Sequence, residues 1–225
     1  MPQTIAGWLE RNITLHTHDT REEEMWNGGT HAAGALLSIA GLVLLMTKVL
    51  PSGNSSAAIG ALVFGLSMIL SYTSSAVYHF VRPSNWKRFL RIMDHVNIYI
   101  LIAGTYTPIC VAMNSGKSLQ LLRLVWLIAV LGIIFKLVFW GRLKAFHVGF
   151  YLAMGWLVVF YLDDLRHIVP REAALWIIGG GLSYTLGVLF YSLKKMPHYH
   201  AVWHLFVLGG SACFYLGIFH YIIPG

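Results

Sequence analysis

Seven apolar stretches, each close to the thickness of a bilayer, alternate with short polar breaks along the chain: residues 31–48, 56–80, 93–113, 119–140, 145–162, 173–193 and 200–223. About 20 helical residues cross ~30 Å of hydrocarbon with every backbone group satisfied internally. The breaks carry helix-ending residues, as in Pro51-Ser52-Gly53-Asn54, Arg82-Pro83-Ser84-Asn85, Asn114-Ser115-Gly116, Val169-Pro170 and Met196-Pro197. The pattern predicts an all-α membrane protein, a seven-transmembrane helix bundle over 31–225 preceded by a cytoplasmic N-terminal segment, 1–30. Gly60, Gly65, Gly179-Gly180-Gly181 and Gly209-Gly210 fit close helix contact in lipid, and such faces permit a homo-oligomer without requiring one.

Composition agrees with the pattern, since 57% of the residues are apolar and only 11% charged. The first 30 residues hold Glu10, Arg11, Asp19, Arg21, Glu22, Glu23 and Glu24 and do not read as a secretory signal peptide. Ten basic residues fall on the N-terminal side of the predicted membrane and five on the other. That bias places the N-terminus in the cytoplasm and the C-terminus outside. It also accounts for the net charge of +7, and no basic run is interleaved with aromatics, so nucleic acid is excluded as a partner. Cys110 and Cys213 lie in apolar spans and read as free thiols. Lys136, near the cytoplasmic end of the fourth span, is expected to snorkel to the headgroups.

Polar residues in or beside hydrocarbon are costly enough to point to function. Ser75 and His79 lie four apart near the end of the second span, on one helix face. Asp94, followed by His95 and Asn97, opens the third span, and His200 and His204, again four apart, open the seventh. All these positions fall in the cytoplasmic leaflet of the predicted topology. Two His at i, i+4 with a third from a facing helix make the ligand set of an open Zn²⁺ site. His79, His200 and His204 meet that description, with Asp94 placed to hold or deprotonate a water in the fourth position. His31 is read either as part of a helix start or as a rim of the same site. His16, His18, His147, His167, His198 and His220 are expected in loops or at span ends, structural or solvated. Residues 105–108, Thr105-Tyr106-Thr107-Pro108, are expected to form a packed, locally satisfied kink.

Four runs carry a resemblance: Glu24-Met25-Trp26-Asn27-Gly28-Gly29-Thr30-His31, Ser75-Ala76-Val77-Tyr78-His79, residues 94–108 from Asp94-His95-Val96-Asn97 to Pro108, and residues 200–211 from His200-Ala201-Val202-Trp203-His204 to Ser211. In order and spacing they resemble the hemolysin III family of bacterial membrane proteins, related to the progestin and adiponectin (adipoQ) receptors. The resemblance implies a bacterial cytoplasmic membrane, seven helices with the N-terminus inside, and zinc on His79, His200 and His204. Asp94 and Ser75 match positions that contact or flank the zinc-bound water in adiponectin receptors. Many family members have His where this chain has Cys213, a position outside the implied ligand set.

The expected activity is zinc-dependent hydrolysis of an amide or ester of a membrane lipid, similar to the ceramide hydrolysis linked to the related receptors. Asp94 would act as general base and acid, and Ser75 as a hydrogen-bond donor to water or oxyanion. Membrane lipids are the expected partners, as substrate or ligand. The alternative is a non-enzymatic regulator of membrane lipid homeostasis with a structural zinc. A pore-forming hemolysin is disfavoured, because the spans offer almost no mid-membrane charge to line an aqueous pore.

Overall fold

Polar caps set where the helices start. In the computed structural model, which describes residues 4–15, 20–142, 144–161 and 169–224, the Thr20 hydroxyl accepts from the Glu23 amide while the Glu23 carboxylate accepts from the Thr20 amide. This reciprocal pair satisfies otherwise free N–H groups. Helix α2 (Arg21–Val49) then runs unbroken from an acidic first turn into the first apolar span. Residues 21–30, expected in a separate N-terminal segment, are thus one helix with that span. The reason is local: the capping box forms ten residues before the apolar run begins, and nothing between them stops a helix.

Asn54, Ser84 and Ser115 cap α3 (Ser55–Phe80), α4 (Asn85–Met113) and α5 (Gly116–Val138) through their side chains. The remaining α-helices among the described residues are α1 (Ile5–Asn12), α6 (Lys144–Gly155), α7 (Arg171–Ser192) and α8 (Tyr199–Gly217). All regular elements among the described residues are helical.

Among the described residues, six stretches are long and apolar enough to cross a membrane: Arg21–Ser52, Ser55–Phe80, Asn85–Met113, Gly116–Val138, Arg171–Ser192 and Tyr199–Ile222. The predicted fifth span, 145–162, corresponds to a shorter apolar helix, Phe146–Tyr161, that tightens into a 3₁₀ segment at Trp156–Tyr161; residue 162 lies outside the described residues. Leu36, Leu37, Val43, Ile59, Leu127 and Leu189 are among the large apolar side chains turned outward. An outward apolar belt suits lipid and would be unstable in water.

Neighbouring helices pack in chain order from α2 to α8, and α8 returns to α2, which closes the ring; α1 lies against α4. One apolar cluster joins α2, α3, α4, α7 and α8 around Leu45, Phe64, Tyr72, Leu101 and Val207, and a second joins α4, α5 and α6 around Tyr99, Tyr106, Val125 and Met154. Small residues permit the closest approaches. A Cβ added at Gly60 would stand 2.9 Å from the Pro108 Cα, so α3 and α4 meet backbone to backbone there. Helix α4 continues through Pro108, with the Thr105 and Thr107 hydroxyls donating to the Leu101 and Ala103 carbonyls at 2.8 and 2.9 Å.

Candidate metal centre

His79 sits in the last turn of α3, and His200 and His204 occupy the first two turns of α8. Their rings meet edge to face, with centroids 5.0 Å apart for His79 and His200, 5.4 Å for His79 and His204, and 4.6 Å for His200 and His204. One nitrogen from each ring can be chosen so that all three lie within 4.8 Å of one another. The histidines expected to converge therefore do so, from two helices that are far apart in sequence.

Each buried ring is oriented by a hydrogen bond at its other nitrogen. His79 Nδ1 lies 2.7 Å from Glu24 Oε2, and the second Glu24 oxygen accepts from Lys87 Nζ at 2.9 Å. The same ammonium reaches the His79 carbonyl at 3.4 Å, so a buried lysine on α4 locks a carboxylate from α2 onto a histidine from α3. His79 Nε2 is left buried with no hydrogen-bond partner among the described residues. His204 Nδ1 donates to the Asn27 carbonyl at 3.0 Å, with the Thr30 hydroxyl 3.1 Å away. That bond puts the proton on Nδ1 and leaves the lone pair on Nε2. Paired outer nitrogens and free inner ones are what metal-ligating histidines require, and such outer partners fix tautomer and raise ligand basicity. The donor set fits Zn²⁺, which favours imidazole nitrogen and, in catalytic sites, three protein ligands.

Asp94 stands outside this three-histidine group. Its carboxyl, on α4, is within electrostatic reach of His79 and Ser75 and lines the same cavity as His200 and His204. Ser75 is fully buried, and its hydroxyl makes no well-formed hydrogen bond among the described residues. Of the two residues that follow Asp94 in the predicted cluster, His95 stays beside it, with Nδ1 3.5 Å from Asp94 Oδ2, and Asn97 turns toward α3. His95 Nδ1 donates to the Arg91 carbonyl at 2.9 Å, and Asn97 donates to the Leu70 carbonyl and to Ser74 on α3. The cavity itself is about 1120 Å³, with mainly apolar walls that include Ile98, Ile102, Tyr106 and Val207.

Several features of the centre escape a reading of the sequence. Glu24 and Lys87 are 63 residues apart, and only their meeting at His79 reveals their role. The one signal pointing to Glu24 was its place at the head of the run that ends in His31. His31 belongs to the rim: its ring stacks on His204 at 3.5 Å and 13°, and both its nitrogens are buried without hydrogen bonds among the described residues. His147, expected at the interface, is instead buried inside the bundle with Nδ1 3.1 Å from the Tyr99 hydroxyl. Lys136, expected to snorkel, is also buried, with its ammonium over the Trp140 ring. In both cases the helix face carrying the residue is the one that packs inward. His220 is exposed as expected, whereas His198 is half-buried in the left-handed residue before α8. His16, His18 and His167 lie outside the described residues. Cys110 and Cys213 are free.

Membrane-length helices closed around a buried polar centre define a polytopic integral membrane protein. The profile of the haemolysin-III-related family matches residues 20–215, and the chain belongs to that family. It is 36% identical to Hemolysin-3 of Bacillus cereus over 204 residues, covering 90% of this chain and 93% of that protein. It is 38% identical to the Hemolysin-3 homolog of Bacillus subtilis over 205 residues, 91% and 96% of the two chains. The human Monocyte to macrophage differentiation factor is 29% identical over 210 residues, 89% and 84% of the two chains. The bacterial relatives fit a place in a bacterial cytoplasmic membrane.

Proposed function

We propose that the protein is a zinc-dependent hydrolase of amide or ester bonds in membrane lipids, ceramidase-like in its chemistry. The observation that carries this reading is the convergence of His79, His200 and His204 with the outer nitrogens of His79 and His204 already held by Glu24 and the Asn27 carbonyl. Bound there, Zn²⁺ would supply Lewis-acid polarisation of the scissile carbonyl and a water acidified toward neutrality. Asp94 takes the proton from the attacking water as its oxygen bonds to the acyl carbon, and returns it to the departing amine or alcohol as the C–N or C–O bond breaks. Ser75, whose buried hydroxyl lies beside the Asp94 carboxyl, donates a hydrogen bond to the oxygen on which charge develops. The apolar cavity holds the acyl chain and keeps bulk water from the reacting atoms.

The same reading places seven spans in the membrane, N-terminus inside and C-terminus outside. Twelve α-helical and six 3₁₀ residues from Lys144 to Tyr161 extend about 30 Å at the rises of the two helix types, which supports a seventh crossing. The charge bias of the loops supports the orientation.

Elemental analysis of detergent-purified protein tests the metal first. One zinc per chain in the wild type, lost in His79→Ala, His200→Ala and His204→Ala, would license a screen of lipid amides and esters; a folded wild type without zinc would remove the mechanism. A second reading, a non-enzymatic regulator of membrane lipid homeostasis, is favoured by one feature: the Glu24, His79 and Lys87 contacts knit α2, α3 and α4 together beside the ligands, as a structural zinc would want. It predicts loss of bundle stability on zinc removal with no product from any lipid. A pore is the weakest reading, since the interior cavity has mainly apolar walls.

A further inference from the structure

Two turns deeper than the metal centre, three hydroxyls meet between α3, α7 and α8. Tyr72 on α3 is seven residues from His79, and Ser211 on α8 is seven from His204. Both helices therefore set the cluster about 10 Å farther into the bundle. The Tyr72 hydroxyl donates to Ser211 Oγ, and the Tyr184 hydroxyl on α7 lies 2.7 Å from the same Oγ. None of the three makes a further hydrogen bond among the described residues. Tyr72 and Ser211 are buried, at 1% and 4% exposure, whereas Tyr184 is half-buried and lines the cavity.

Proton accounting sets the direction of these bonds. Three hydroxyls carry three protons and share two contacts, so one proton is left over. Tyr72 uses its own on Ser211. If Tyr184 also donated to Ser211, the Ser211 proton would be left in the closed interior, at the cost of an unmade buried bond. With Ser211 donating to Tyr184 instead, both interior protons are used and the last O–H, that of Tyr184, faces the cavity. Donation along such a chain polarises the final O–H and strengthens it as a donor. Other hydroxyls of the cavity wall are already placed: Thr105 donates to the Leu101 carbonyl, Tyr106 to the Gly155 carbonyl and Thr185 to the Gly181 carbonyl. The wall that α7 and α8 share includes Ile177, Val188, Val207 and Phe214, and the Phe214 ring centroid is 5.6 Å from that of Tyr184. A single donor in apolar surroundings calls for an acceptor on whatever fills the cavity.

We propose that Tyr184 is a specificity-determining residue whose hydroxyl donates to an acceptor-only oxygen, a ketone or an ether, carried in the middle of the acyl chain that fills the cavity. A hydroxyl on the chain fits less well, because it brings a further proton to place among apolar side chains. A long acyl chain reaches across about half of the ~30 Å hydrocarbon core, so a donor ~10 Å beyond the metal centre meets its middle rather than its carboxyl end. The position along the chain rests on the hydrolase reading, which sets the acyl carbonyl at the metal centre; the donor itself does not.

The test is isothermal titration of detergent-purified protein with methyl 10-oxostearate, its isomer methyl 4-oxostearate and methyl stearate. The two oxo esters lose the same solvation on leaving detergent, so their difference reports where the donor stands. Wild type should bind the 10-oxo ester about three- to tenfold tighter than the 4-oxo ester, the scale of one neutral hydrogen bond. That preference should vanish in Tyr184→Phe, which keeps the ring, while unchanged affinity for methyl stearate shows an intact cavity. It should persist in Tyr72→Phe, which leaves the contact between Ser211 and Tyr184 in place. If Tyr184→Phe does not fold, the comparison of the isomers on wild type decides. Equal affinity for the isomers, tighter binding of the 4-oxo ester, a preference kept in Tyr184→Phe or one lost in Tyr72→Phe would overturn the proposal. A wild type that holds one zinc per chain but shows no preference loses this inference alone. A wild type without zinc loses the hydrolase reading, and tighter binding of the 10-oxo ester than of methyl stearate, abolished in Tyr184→Phe, then still supports the donor.

Discussion

Glu24 Oε2 and His79 Nδ1 lie 2.7 Å apart, and this contact between α2 and α3 decides which nitrogen of His79 is available to a metal. With Nδ1–H donated to the carboxylate, Nε2 points inward with its lone pair free. Lys87 completes the relation by holding the other oxygen of Glu24.

Glu24→Gln keeps the size of the side chain but removes its charge, leaving the buried Lys87 ammonium without its carboxylate. Zinc affinity, measured by competition with a chromogenic chelator, should fall about 10- to 100-fold, the usual cost of losing an outer-shell carboxylate. Unchanged affinity would show that the Glu24 contact does not tune the ligand.

Asp94→Asn should leave one zinc per chain, because Asp94 is not among the converging ligands. Turnover of a cleavable lipid should fall by roughly 10² to 10⁴, the contribution of a positioned base. A variant that binds zinc and still turns over at the wild-type rate would reject Asp94 as the proton carrier.

Zinc removal by chelation should lower the melting temperature of the wild-type protein in detergent, because a ligand bound only to the folded state stabilises it by about 2.7 kcal/mol at a hundredfold excess over Kd. His200→Ala should start from the lower value and respond little to the chelator. Equal chelator sensitivity in wild type and variant would place the metal elsewhere.

Gly60→Ala should destabilise the bundle by about 1 to 3 kcal/mol, since the added methyl meets backbone at Pro108 2.9 Å away and cannot be relieved by a rotamer change. Gly29→Ala, where nothing lies within 4 Å, should be close to neutral or slightly stabilising in a helix. Denaturant titration of both variants by circular dichroism gives the comparison, and equal stability would contradict the tight α3–α4 contact.

The apolar runs, their breaks and the i, i+4 spacing of His200 and His204 were legible because each is decided within a few residues of chain: hydrocarbon thickness fixes the length of a span, and helical period fixes which side chains share a face. The same local logic identified His79, Ser75 and Asp94 as costly groups at helix ends. It did not give the start of α2, where the Thr20 and Glu23 capping box carries helix beyond the apolar run, nor the shortened, 3₁₀-ended helix at Phe146–Tyr161.

The tertiary structure decided the rest. Glu24 against His79, the Asn27 carbonyl against His204 and His31 stacked on His204 depend on how α2, α3 and α8 are rotated about their axes and which of them are neighbours. Lys136 and His147 turn inward for the same reason, because packing against α4 sets the phase of α5 and α6. Sequence alone determines that this chain is a helical membrane protein with histidines to spare at the ends of its spans, since solvent and helical geometry act residue by residue. Which of those histidines meet, and what holds their second nitrogens, follows from contacts between segments up to 177 residues apart, which no local pattern encodes.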